Sequence, residues 1–95
     1  MLRKHCSKLE KIIQDFKTEF PDITMVMQRN NNLTFRLPGN IWIYVTIKDW
    51  DLWEVKIEKI GMCMDEDITL STFHTGQVKI IKDTINLYNT ANDLF

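Results

Sequence analysis

One run of seven residues constrains this chain more than any other: Ile41-Trp42-Ile43-Tyr44-Val45-Thr46-Ile47. Every odd position is β-branched, which stiffens the side-chain torsion and favours extended backbone. The even positions carry Trp, Tyr and Thr, so the run is apolar on both faces and reads as a central strand. A central strand needs neighbours on both sides, and the flanking sequence supplies them. Leu33, Phe35 and Leu37 alternate with Thr34 and Arg36; Trp53, Val55 and Ile57 alternate with Glu54, Lys56 and Glu58. Ile23, Met25 and Met27 give a further short run. Between these lie Arg29-Asn30-Asn31-Asn32, Pro38-Gly39-Asn40 and Lys48-Asp49-Trp50-Asp51, rich in residues that accept turn backbone. Four runs with turn-sized gaps predict an antiparallel meander.

The ends follow a different period. Leu2, Cys6, Leu9, Ile13, Phe16 and Phe20 are spaced by three or four, and Ile12 widens the stripe, predicting an amphipathic helix stopped by Pro21. From Gly76 the helical period returns with Val78, Ile81, Ile85 and Tyr88, and Thr75 fits an N-cap. Ile68, Leu70 and Thr72 read either as a fifth strand or as irregular cover over a sheet edge. The expected fold is one α+β domain over residues 1–95. It is a four- to five-stranded antiparallel sheet with N-terminal and C-terminal helices packed on one face. That face takes the odd-numbered residues of the meander: Leu33, Phe35, Leu37, Ile41, Ile43, Val45, Ile47, Val55 and Ile57.

Composition removes several classes. At 95 residues the chain is too short for two ordinary domains, and at 44% hydrophobic it is too apolar for disorder. No run approaches a membrane span, and the charged, amphipathic first segment lacks the layout of a signal peptide. A formal net charge of −1 argues against binding nucleic acid by charge alone, and two Cys are too few for a disulfide scaffold. Reduced thiols in a cytoplasmic protein are the expectation for both. Twelve Ile against eight Leu, nine Lys against three Arg, seven Asn and a single Ala suggest AT-rich codons. Such codons fit a low-GC bacterium, its phages or another mobile element.

Catalytic signatures are missing: there is no Gly-rich phosphate loop, no G-x-S-x-G and no H-E-x-x-H. His5, Cys6, Cys63 and His74 lack the spacing of a zinc site, and Cys6 falls in the apolar stripe of the first helix. Asp65-Glu66-Asp67, with Asp49 and Asp51, reads as solvated loop charge that protects a sheet edge rather than as a cation site. The chain is therefore expected not to be an enzyme, with no catalytic residue, metal or cofactor assigned.

Alternation sharpens one surface. With Ile41, Ile43 and Val45 inward, Trp42, Tyr44 and Thr46 face the other way, beside Thr34 and Arg36 and beside Glu54, Lys56 and Glu58. Trp, Tyr and Arg are the residues that dominate binding interfaces. The expected partner-binding set is Trp42, Tyr44, Arg36, Lys56, Trp50 and Trp53, in a small protein that occupies a partner's surface. A phage or mobile-element inhibitor of a host or defence protein is the specific form of this expectation. Homodimerisation through the same face is its variant. The competing reading is single-stranded nucleic acid, stacked on the aromatic face and drawn by Arg3, Lys4, Lys8 and Lys11 of the first helix.

Overall fold

The structure, a computed structural model, describes residues 2–60 and 68–93, with side chains described over 8–60 and 69–87. The fold is α+β. Its elements run α1 (Leu2–Glu19), β1 (Met25–Arg29), β2 (Asn32–Leu37), β3 (Ile41–Asp49), β4 (Leu52–Lys59), β5 (Ile68–Thr75) and α2 (Val78–Asp93). Two compact units divide these elements: a helical unit, Met1–Pro21 with Gln77–Phe95, and a sheet unit, Asp22–Gly76.

The helical unit follows the 3.6-residue period. Leu9, Ile12 and Phe16 are buried along α1, Phe20 just beyond its end, and Val78, Ile81 and Ile85 along α2. Ile13 is half-buried, so the centre of the α1 stripe runs through Ile12. The rings of Phe16 and Phe20 stack with centroids 6.1 Å apart, and the Phe20 amide donates to the Phe16 carbonyl at 2.7 Å. Pro21 follows that last bond, where its ring does not disturb the helix. Glu19 and Lys82 link the two helices through an ion pair at 3.5 Å. The expected cap is displaced: Thr75 ends β5, paired with Trp53, and α2 starts at Val78.

The sheet unit is a meander in the order β1-β2-β3-β4-β5, every neighbour antiparallel. Residues 68–75 form the fifth strand; the rest of the ambiguous 61–72 stretch lies outside the described residues. Each tight turn has a local cause. Asn30 adopts φ 54° between β1 and β2, where the carboxamide side chain tolerates left-handed backbone. Gly39 and Asn40 take φ 81° and 62° between β2 and β3. Between β3 and β4 the Asp51 amide donates to Asp49 Oδ1 at 3.3 Å, an Asx-type turn. Gly76 answers to space, because a Cβ there would collide with the Asp51 carbonyl.

Register decides which side chains share a face. Leu33, Phe35, Leu37, Ile43, Val45, Ile47, Trp53, Val55 and Ile57 are all buried and lie on one face. The odd-number rule holds from β2 to β4 and fails in β1. The two-residue loop Asn30-Asn31 pairs residues of opposite parity, setting Met25 against Arg36, Met27 against Thr34 and Val26 against Phe35. Met25 and Met27 therefore join the outer face, with Trp42 and Tyr44.

Candidate functional site: the outer face of the sheet

Three cross-strand rows build the outer face. The first is Met25–Arg36–Trp42–Glu58–Thr69, the second Met27–Thr34–Tyr44–Lys56–Thr72, and the third Arg29–Asn32–Thr46–Glu54–His74. The neighbours of Trp42 and Tyr44 are those that alternation predicts. Trp42, Tyr44 and Thr46 are half-buried, while Arg29, Arg36, Lys56 and His74 are exposed.

The aromatic pair is stacked on this surface. Trp42 and Tyr44 stand two residues apart on one strand, their rings 6.3 Å apart between centroids and 14° from parallel. The Arg36 guanidinium lies 5.5 Å from the Trp42 ring centroid. A cation over an indole face gains from the ring quadrupole, and a guanidinium carries five N–H donors that suit a planar anion.

Charge on the face is unevenly compensated. Glu54 pairs with Lys48 at 2.9 Å, and Glu58 pairs with Lys56 at 3.2 Å. Thr69 Oγ1 also donates to Glu58 at 3.4 Å. The Lys48 ammonium holds the Glu54 carboxyl below its ordinary range, first by hydrogen bonding and then by charge; His74, directly across the ladder, adds a smaller effect. Among the described residues neither Arg29 nor Arg36 joins an ion pair. The β4 side of the face is thus largely self-neutralised, and the β1–β2 side is cationic.

A shallow concavity of about 370 Å³ opens over β1, β2 and β3, lined by Met27, Arg29, Asn32, Thr34, Tyr44 and Thr46 with the backbone beneath them. Met27 is 53% exposed and lines the same concavity as Tyr44. Alternation alone does not mark Met27 or Arg29, because the parity switch at Asn30-Asn31 hides their side of the sheet. The run of three Asn was the available signal, since it marks a tight hairpin.

The sequence-selected residues separate. Trp42, Tyr44, Arg36 and Lys56 come together on the outer face. Trp53 does not join them: it is only 3% exposed, lies on the inner face, and donates its indole N–H to the Trp50 carbonyl at 3.0 Å. Alternation with Val55 and Ile57 puts it there. Trp50 is half-buried in the β3–β4 turn. Lys8 and Lys11 are exposed on α1, whereas the side chains of Arg3 and Lys4 lie outside the described residues.

Of the other polar clusters, His5, Cys6, Cys63 and Asp65-Glu66-Asp67 lie outside the described side chains. Among the described residues no group of three or more His, Cys, Asp or Glu is arranged to hold a metal ion. No helix of the described residues is long and apolar enough to cross a membrane. Comparisons with protein-family models, curated proteins and solved structures returned no match.

Proposed function

We propose that this chain is a small protein-binding module that works by covering part of a partner protein with the outer face of β1–β4. The observation that carries this reading is the Arg36–Trp42–Tyr44 group, stacked in place beside the open concavity at Met27. Trp, Tyr and Arg are enriched where truncation costs binding energy. The finer form of the proposal is stoichiometric inhibition of a host or defence protein by a phage or mobile-element product, supported by the AT-rich composition.

Single-stranded nucleic acid is the second reading, favoured by the near-parallel Trp42 and Tyr44 rings. The ion pairs at Glu54 and Glu58 also soften the repulsion those carboxylates would exert on phosphates. Protein remains the stronger choice. Two uncompensated arginines supply little of the counterion release that drives phosphate binding, and the thioethers of Met25 and Met27 suit an apolar partner surface.

Parallel affinity captures with the wild-type chain and Trp42→Ala, each verified as folded by circular dichroism, test the proposal. A protein retained at one-to-one stoichiometry by the wild type and lost from Trp42→Ala supports it. Equal retention by both removes the outer face from the interaction.

A further inference from the structure

The charge pattern of the outer face says what kind of segment it fits, an inference that rests on the protein-binding reading above. Arg36 stands in the first cross-strand row, Met27 and Tyr44 in the second, and Arg29 in the third. The two arginine rows are four residues apart along the strand, or about 13 Å. The carboxylates on β4 already have Lys48 and Lys56 as ion-pair partners, whereas the arginines on β1 and β2 join no ion pair among the described residues. Met27 and Tyr44, on either side of Thr34, lie in the row between two cations, and that spacing of rows matches one side of an extended peptide. In such a peptide residues i, i+2 and i+4 point the same way.

We infer that the β1–β3 face, the concavity together with Arg36 in the neighbouring row, takes an extended segment of a partner protein that reads acidic–x–apolar–x–acidic. Its two carboxylates sit against Arg36 and Arg29, and the apolar residue between them fills the space over Met27 and Tyr44. Guanidinium groups suit this role because they bind carboxylates bidentately. The Arg36 guanidinium lies over the Trp42 ring, which draws it to this part of the face.

A display library of random heptapeptides, selected on the full-length chain, provides the test. The expected result is enrichment of Asp or Glu at two positions four apart, with an apolar residue midway. Arg29→Glu and Arg36→Glu, both at exposed positions, should each weaken a selected synthetic peptide by about tenfold or more in fluorescence polarisation. Selection on the Arg29→Glu/Arg36→Glu double variant should turn the preference to Lys and Arg. Selected peptides that are neutral or basic, yet lose binding with Trp42→Ala, would overturn the inference and leave the face as a binding surface. Peptides indifferent to Trp42→Ala would overturn the face itself. A twelve-residue oligothymidylate that binds in place of any peptide, and is lost with Arg29→Glu, would also overturn it by assigning the arginines to phosphate.

Discussion

Arg36 and Trp42 face each other across β2 and β3, with the guanidinium 5.5 Å from the centroid of the indole ring. The pair joins the charge of the outer face to its aromatic strip, and it has a measurable energy. In a double-mutant cycle of Arg36→Met and Trp42→Leu, urea denaturation should return a coupling of about 0.5–1 kcal/mol. Additive losses would mean that the cation and the ring are merely adjacent.

The tryptophans on β3 and β4 should behave differently. Trp53 is buried with a bonded indole N–H, so Trp53→Ala is expected to cost about 3–5 kcal/mol. Trp53→Phe, which removes the donor to the Trp50 carbonyl and leaves a smaller cavity, should cost about 1–3 kcal/mol. Trp42 is half-buried on the other face, and Trp42→Ala should cost about 1 kcal/mol and leave the far-ultraviolet dichroism unchanged. A Trp42→Ala loss equal to that of Trp53→Ala would make Trp42 a core residue.

That contrast shows what the sequence makes legible. Period-two spacing from Leu33 to Ile57 predicts the strands, their inner residues and the neighbours of Trp42 and Tyr44, because β-branched and aromatic residues alternate cleanly with polar ones. The face of β1 is less visible. It depends on whether the Asn-rich turn contains two or three residues, and a one-residue change moves every side chain to the other face. The Lys48–Glu54 pair is hidden for a related reason: the pairing register shifts between Ile47 and Asp49, and Lys48 falls within that shift. The fifth strand is ambiguous in sequence because its polar residues interrupt the alternation and its own register shifts opposite Ile57 and Glu58.

Gly76 and Gly39 separate two demands on glycine. A Cβ at Gly76 would meet the Asp51 backbone, whereas one at Gly39 meets nothing within 4 Å but requires a left-handed φ of 81°. Gly76→Ala should therefore lower stability by about 1–3 kcal/mol through steric displacement, and Gly39→Ala by about 1–2 kcal/mol through backbone strain. Urea midpoints distinguish them. A neutral Gly76→Ala would show that the β3–β4 turn does not approach β5 so closely.

Glu54 gives the outer face a pH signature. Lys48 lowers its folded-state pKa below the ordinary 4.5, so the unfolded chain binds this proton more readily. The associated stability is present above the unfolded-state value and disappears as pH falls through the lower, folded-state value. In a carbon-detected titration, Lys48→Met should bring the Glu54 carboxyl back toward 4.5, and the stability difference from wild type should vanish in acid. An unchanged Glu54 titration in Lys48→Met would rule out Lys48 as the cause.

On the proposed reading, a partner binds the outer face of the sheet rather than any other exposed apolar residue. Leu87 on α2, 72% exposed, supplies the control. With a captured partner, isothermal calorimetry should show Trp42→Ala weakening affinity by about thirtyfold or more, the scale of an interface hot spot, while Leu87→Ala changes it by less than about twofold. Wild-type affinity in Trp42→Ala, with the loss falling on Leu87→Ala instead, would contradict the assignment.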